Sequence, residues 1–284
     1  MRALPALLLS LLLAGCTSVF FQPHDILVAT PAQYGVDYER MEFKAEDGTG
    51  LFAWYLPARG EPQGSVLYLH GNAENISTHF ANVAWMPAAG FNVLALDYRG
   101  YGASQGKPTL RGVQLDIDAA MRALLARPDV DPTRLFIFGQ SLGGALAIHY
   151  AANSKLRAHL RAVVVDSPFS DYRLITREKL ASTPLTWAFQ WLPAITVNND
   201  YSPQAAVKAL SPIPLLLIHG DHDGIVPVDH SHRLYEGAAQ PKEIWVLPGV
   251  GHIQAMKAQT IRDKLAAFLR RQAEQQQVSS SSSR

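Results

Sequence analysis

Cysteine is almost absent from the 284-residue chain: Cys16 is the only one, so no internal disulfide can form and the fold must rest on its core. Excess charge is missing too. Lysine and arginine total 25 against 24 acidic residues, with no run of like charge. That balance lacks the electrostatic footprint of nucleic-acid binding and argues against nucleic acid as a partner. Beyond the N-terminus no apolar stretch is long enough to span a bilayer, so no transmembrane helix is expected. What remains is an ordinary globular composition, 48% apolar and 17% charged, sufficient for one large domain.

The first thirteen residues carry one positive charge, Arg2, followed by a short apolar run ending in Leu11-Leu12-Leu13. This pattern reads as a secretory signal, too short to span comfortably. Leu13-Ala14-Gly15-Cys16 then resembles the lipobox of bacterial lipoproteins. The resemblance implies cleavage after residue 15 and attachment of several acyl chains, palmitate among them, to Cys16. Each buried methylene contributes about 0.8 kcal/mol, so such an anchor holds stably without a transmembrane helix. The alternative is an unlipidated signal peptide whose cysteine is incidental. Loss of residues 1–15 would leave 24 bases against 24 acids. Thr17 in place of aspartate resembles an outer-membrane signal, if the cell is Gram-negative. The expected location is therefore the bacterial envelope, with residues 16–39 as a lipidated tether, since they show no clear period.

From residue 40 the chain alternates short apolar runs with helix-length segments. Residues 41–45 and 50–56, split by Glu46-Asp47-Gly48, predict an antiparallel pair at a sheet edge. Apolar runs at 65–69, 91–96, 135–138 and 162–165 follow, with helices expected at about 75–88, 113–125 and 142–152 between them. This βαβ rhythm predicts a mostly parallel sheet. It breaks at residues 168–210, which hold several prolines and two helix-like pieces and read as a small cap inserted over the strand ends. Trp187 and Trp191, four apart, are expected to share a helical face beside Phe169, Leu185 and Leu192. The simplest expectation for each is packing onto the main domain. Strands at 214–218 and 243–247, a helix near 229–236 and a closing helix from 253 to about 271 complete a domain at 40–273. Residues 274–284, rich in glutamine and serine, have no apolar face and predict a disordered tail.

The centre of this pattern is Leu135-Phe136-Ile137-Phe138-Gly139-Gln140-Ser141-Leu142-Gly143-Gly144. It reads as strand, sharp turn and helix, and Gly139 to Gly143 matches G-x-S-x-G, in which a nucleophilic serine stands on a strained elbow. A serine hydroxyl is a poor nucleophile at neutral pH, so Ser141 needs a base and an acid to orient it. His252, in the glycine-rich loop after strand 243–247, is the candidate base. Asp223, just past strand 214–218, is the preferred acid, with Asp221 and Asp166 as rivals. An oxyanion hole needs two backbone N–H groups. Leu142 supplies one by position and the end of strand 65–69, at Asn72, the other. His70 beside it is expected to be a structural loop histidine.

These stretches, with Leu96-Asp97-Tyr98-Arg99-Gly100-Tyr101-Gly102 and His219 to Pro227, resemble the α/β-hydrolase-fold serine hydrolases, within the abhydrolase group of lysophospholipase-like and acyl-thioesterase-like enzymes. The likeness covers about residues 40–272. It implies a mostly parallel sheet with helices on both faces, an acid at Asp223, an oxyanion role for Asn72, and a structural role for Asp97 and Arg99 in the turn beneath the site. The expected activity is ester or thioester hydrolysis by a Ser141–His252–Asp223 triad, with no cofactor and no metal. The aromatic cap and the anchor suggest a lipid-like acyl substrate. Two other readings stand beside it. One is metal-dependent hydrolysis at His219, Asp221, His222, Asp223, Asp229, His230 and His232, which lack a recognised ligand spacing. The other is an idle hydrolase-fold lipoprotein that binds a partner at the envelope.

Overall fold

Two short strands, β1 (Glu39–Lys44) and β2 (Gly50–Leu56), form the expected antiparallel edge, and β2 then runs antiparallel to β4 (Phe91–Asp97). The computed structural model describes residues 20–281; the signal-like segment 1–15 and Cys16 lie outside them. The remaining strands are β3 (Gly64–Leu69), β5 (Leu135–Gln140), β6 (Leu160–Asp166), β7 (Leu215–Gly220) and β8 (Lys242–Leu247). With β4 they are all parallel, in the order β1-β2-β4-β3-β5-β6-β7-β8.

The central strands read as unbroken apolar runs because both faces of the sheet are covered. Successive residues alternate between two cores. Leu67, Leu69, Ile137, Val163 and Val165 point into one, while Val66, Tyr68, Phe136, Phe138 and Val164 point into the other. Helices α1 (Leu110–Leu125) and α2 (Leu142–Asn153) contribute to the first core, and α5 (Gln259–Ser281) to the second through Leu265, Phe268 and Leu269. Each such fully buried side chain contributes roughly 1.5–3 kcal/mol. Between β7 and β8 lies α4 (Asp229–Gly237).

Local departures from the sequence expectation have physical causes. The helix expected over 75–88 is broken into a turn at Ile76–His79 and 3-10 turns at Phe80–Asn82 and Pro87–Ala89. Pro87 has no N–H to donate, and Gly90 at φ 89° ends the segment in a left-handed cap. The last helix begins at Gln259 instead of 253, because Ile253 adopts φ 47° and a 3-10 turn at Ala255–Lys257 intervenes. It continues to Ser281, into the polar segment 274–284.

Residues 168–210 do leave the sheet, between β6 and β7. They form α3 (Tyr172–Ala181) and four short turns, of which Pro193–Thr196 and Pro203–Ala206 start at prolines. The packing expected for its aromatic face is overturned. Trp187 lies in a 3-10 turn and is 60% exposed, Trp191 is 59% exposed and Leu185 is 85% exposed. Phe169, by contrast, is buried. The segment is too short and too interrupted by proline to offer those side chains a helical groove on the main domain.

Arg99 fastens the β4 loop as expected of a structural residue. Its guanidinium bridges Asp47 (2.7 Å), in the β1–β2 turn, and the fully buried Asp116 (2.8 Å) on α1. Burial drives the Asp116 carboxyl upward and the Arg99 hydrogen bonds oppose it, while the same guanidinium holds Asp47 well below the usual carboxylate range. Asp97 accepts the Ile76 N–H (2.8 Å), and burial pushes its carboxyl up to about 7.

The tightest constraint is at β5–α2. A side chain on Gly143 would meet the carbonyl oxygen of His70 at 2.5 Å and that of Leu69 closer still, both rigid backbone atoms at the end of β3. Gly143→Ala is therefore expected to lower stability by about 3 kcal/mol or more, read as the drop in the urea-unfolding midpoint against the native chain. A midpoint unchanged by the substitution would contradict this packing.

Candidate active site

The elbow is strained as its sequence pattern requires. Ser141 sits between β5 and α2 at φ 51°, ψ −114°, a backbone region that a non-glycine residue rarely occupies. Its N–H donates to the Asp166 carbonyl at the end of β6 (2.9 Å). Gln140 before it is wholly buried, accepting from the Tyr68 hydroxyl (2.5 Å) and donating to Asp166 Oδ2 (2.9 Å). Gly139 is required because a Cβ there would lie 2.6 Å from the Gly143 carbonyl carbon and 2.7 Å from the Gly144 nitrogen. The helix thus starts directly over the strand, and the serine is forced outward where the two meet.

Strain of this kind is confined to one edge of the sheet. Among the described residues five non-glycine positions have positive φ: Ala73 and Glu74 after β3, Ser141 after β5, Ser167 after β6, and Ile253 in the loop after β8. All follow C-terminal strand ends, the edge at which open α/β sheets bind ligands. Backbone strain costs of order 1–3 kcal/mol per residue and persists where surrounding structure over-determines it.

His252 meets one of its three candidate acids. Its Nδ1 lies 2.7 Å from Asp223 Oδ2, whose side chain is buried. The carboxylate can only accept, so Nδ1 carries the proton and Nε2 is left as the acceptor. Asp221 instead pairs with the exposed His222 (2.7 Å) and accepts the Gly249 N–H (2.7 Å). Asp166 is buried, accepting from Gln140 and from the Ser167 hydroxyl. Burial raises the Asp166 carboxyl above its ordinary range, and its hydrogen bonds go to Gln140 and Ser167, not to His252. For Asp223 burial also pushes upward, but hydrogen bonds from His219 and His252 outweigh it and hold the carboxyl well below the usual range.

Several of these supports escaped the sequence reading. His219, one of the residues weighed as a metal ligand, instead braces the acid: its Nε2 lies 3.2 Å from Asp223 Oδ2 and 2.9 Å from the Val226 carbonyl, while Nδ1 contacts the Ser231 hydroxyl at 2.7 Å. The backbone N–H groups of Ile225 and Val226 close on Asp223 Oδ1 at 2.8 and 2.9 Å. Ser167 ties the histidine loop to the elbow, accepting from the Ile253 N–H (3.2 Å) while donating to Asp166. His230, a second weighed ligand, is held by Ser170 and Glu178. Among the described residues no three His, Cys, Asp or Glu side chains are placed to hold a metal ion.

The oxyanion candidates also come together with the serine. Gly71 packs so near that a Cβ on it would be 3.6 Å from that of Ser141, which brings the loop after β3 against the elbow. Among the described residues neither the Asn72 nor the Leu142 N–H has a hydrogen-bond acceptor. The Asn72 side chain faces elsewhere, its Oδ1 accepting from Gln22 N–H (2.8 Å), the Tyr101 hydroxyl (3.0 Å) and Ala73 N–H (2.8 Å). His70 is buried against Tyr98, with ring centroids 4.4 Å apart, and burial lowers its basicity well below the ordinary value, consistent with a structural role. Ser141 Oγ makes no hydrogen bond among the described residues. Catalytic bonds of this type often close only with substrate present.

The Gln22 contact belongs to a strap that no sequence signal marked. Residues 20–28 run over the oxyanion loop. The His24 carbonyl accepts from Gly102 N–H and from the Asn75 side chain (both 2.9 Å), and Val28 N–H donates to Ser77 Oγ (2.9 Å). The expected tether is therefore, from Phe20 onward, a built part of the domain. Phe20 packs on Phe169 and Tyr172, with centroids 6.5 and 4.8 Å away. The aromatic pair Phe20-Phe21 was the only hint available.

A mostly parallel sheet covered on both faces, with a strained serine at its central strand end, is the architecture of the α/β-hydrolases. Residues 60–211, just over half of the chain, match the family described as serine aminopeptidase, S33, and the chain belongs to this family of hydrolases. It is 35% identical over 260 residues to the uncharacterized Escherichia coli (strain K12) protein YfhR, covering 88% of this chain and 86% of that one. Protein bem46 of Schizosaccharomyces pombe is 28% identical over 214 residues, 74% of this chain and 69% of its own. Among solved structures the Pyrococcus furiosus esterase Pf2001 superposes with a TM-score of 0.69 at 24% identity, covering 88% of this chain and 99% of that one.

The proton shared between His252 and Asp223 gives a direct test of this geometry. A downfield imidazole N–H resonance is expected in the native protein, lost in Asp223→Asn and retained in Asp221→Asn. Retention in the first and loss in the second would reverse the assignment.

Proposed function

We propose that the protein is a serine hydrolase that cleaves carboxylic ester or thioester bonds through an acyl-enzyme on Ser141. The observation that carries this reading is the 2.7 Å bond between His252 and the buried Asp223, at the sheet edge where Ser141 stands strained. In the acylation step Ser141 Oγ attacks the substrate carbonyl carbon and gives its proton to His252 Nε2. Asp223 remains ionised, holds the Nδ1–H tautomer and stabilises the imidazolium. The N–H groups of Asn72 and Leu142 receive the oxyanion, a donor pair in which each member is worth on the order of 10²–10³ in turnover. Collapse breaks the bond to the leaving alcohol or thiol, which takes the proton from His252. Water then attacks the acyl-enzyme with His252 as base, releasing the acid and restoring the serine. The chemistry requires no cofactor.

The substrate class in this reading is a carbonyl on an apolar acyl chain. Support comes from the lipobox-like Leu13-Ala14-Gly15-Cys16, which would hold the enzyme beside lipid in the bacterial envelope, on the outer membrane in a Gram-negative cell. Among the described residues no helix is long and apolar enough to cross a membrane, so an anchor would act through Cys16.

A fluorophosphonate probe is expected to label the full-length protein and to spare Ser141→Ala; equal labelling of both would remove Ser141 as nucleophile. Asp223→Asn should lower kcat by about 10⁴. A panel of short and long acyl esters, acyl thioesters and aminoacyl p-nitroanilides, assayed with the full chain in detergent micelles, separates the substrate classes. Preference for long acyl chains is expected. Turnover of acetyl esters alone would defeat the lipid reading, and turnover of the p-nitroanilides alone would replace ester hydrolysis with peptide hydrolysis.

A further inference from the structure

The apolar side chains that the fold leaves in water are gathered around the site. Among the described residues eleven large hydrophobic side chains are exposed, and nine of them lie in three segments at the C-terminal edge of the sheet. Five belong to the cap: Leu185, Trp187, Phe189, Trp191 and Ile195. Three are the strap residues 26–28 that cross the oxyanion loop, and Ile225 stands two residues after the acid Asp223. Isolated exposed apolar residues need no explanation, but a contiguous group marks an interaction surface. The exposed charges of the cap are mostly basic, with Asp200 the exposed acid among them. On α3, Arg173, Arg177 and Lys179 are exposed, while Asp171 caps the helix by accepting the Leu174 N–H and Glu178 is taken up by His230. Arg173, Arg177 and Trp191 line one cavity of about 480 Å³. Tryptophan beside arginine, with aliphatic side chains around them, is the composition that settles at a membrane–water interface, and anionic headgroups attract the cations.

The covalent chain decides what this surface faces. Phe20 is fixed against Phe169 and Tyr172, at the start of the cap helix. Cys16 is only four residues before it, a distance that cannot exceed about 14 Å even when fully extended. A lipid on Cys16 would therefore hold the cap against the interface, close enough for Trp187 and Trp191 to reach it. From Phe20 the same strand of chain passes directly over the oxyanion loop, through the Gln22–Asn72 bond, so anchor, cap and catalytic edge are joined over a few residues.

We propose that the exposed Trp187–Trp191 face of the cap is a docking surface for a phospholipid bilayer, which seats the mouth of the active site on the membrane that holds Cys16. This rests on the reading of Cys16 as a lipidated residue. It adds a fixed orientation: the catalytic edge faces the lipid, and substrate enters from the bilayer side.

The test uses the full-length protein reconstituted with vesicles of phosphatidylcholine and phosphatidylglycerol whose acyl chains are brominated near the headgroup. Flotation reads the anchor, and quenching of tryptophan emission by bromine reads docking. Of the other three tryptophans Trp54 and Trp245 are buried and Trp85 is half-buried against the core, so the quenching that separates the wild type from the double variant reports on the cap. The wild type is expected to float and to lose about half of its emission, and Trp187→Ser/Trp191→Ser to float without that loss. Both tryptophans are exposed, so the double variant should melt with the wild type. Cys16→Ser is expected not to float. Wild type that floats without quenching overturns the docking surface and leaves the anchor standing. Wild type that fails to float overturns both. Cys16→Ser that still floats and is quenched overturns the anchor while upholding the surface.

Discussion

Everything at the catalytic edge depends on the absence of two side chains. Gly139 and Gly143 let α2 start in van der Waals contact with β5 and with the end of β3, an approach that leaves no space for a Cβ at either position. With the helix set that close, the connecting residue has no relaxed conformation to adopt, and Ser141 is driven to φ 51°. The strain is sustained by ordinary core energetics: α2 is apolar along nearly its whole length and buried on most sides, so retreating from the strand would expose it. Ser141 is thus presented by packing, before any partner residue is considered.

Around that point the molecule places polar groups whose bonding requirements interlock. Asp223 is buried and ionised because two imidazoles and two backbone N–H groups meet it, a set that offsets the cost of removing a carboxylate from water. The nearby Asp166 is buried with fewer donors, and burial prevails. The two carboxyls are therefore shifted in opposite directions. The difference lies in the donors, and Asp223 is the one of the two that bonds to His252. His70 and His79, beside the loop bearing Asn72, are both lowered in basicity by burial.

The strap and cap extend the same edge outward. Residues 20–28 fasten the loop bearing Asn72 through backbone and side-chain hydrogen bonds, and Phe20 fastens that strap to α3. A segment with no periodicity can be held this firmly because its partners are individual polar groups on loops, not a repeating face. The cap, conversely, has the apolar residues that periodicity would use and leaves them in water. Pro184 and Pro193 bracket the Trp187–Trp191 stretch and limit it to short turns, so it cannot build the helical stripe through which such residues usually find a core.

Much of this protein was determined by sequence alone. Strand positions, the parallel sheet, the elbow at Ser141 and the chain order of the candidate serine, acid and histidine follow from periodicity and turn chemistry, which act over a few neighbouring residues, and the resemblance of the loop after β4 to its family implied the structural role of Arg99. The tertiary structure decided the rest. It brought Asp223, and neither Asp221 nor Asp166, into hydrogen bond with His252, set His219 against the same carboxylate, broke the helix expected at 75–88, fastened residues 20–28 as a strap, and exposed Trp187 and Trp191. Those outcomes depend on which distant groups arrive at a given atom, and on how much water remains there. Neither is encoded in the spacing of residues along the chain, because desolvation and hydrogen-bond donors are supplied by segments tens to hundreds of positions away.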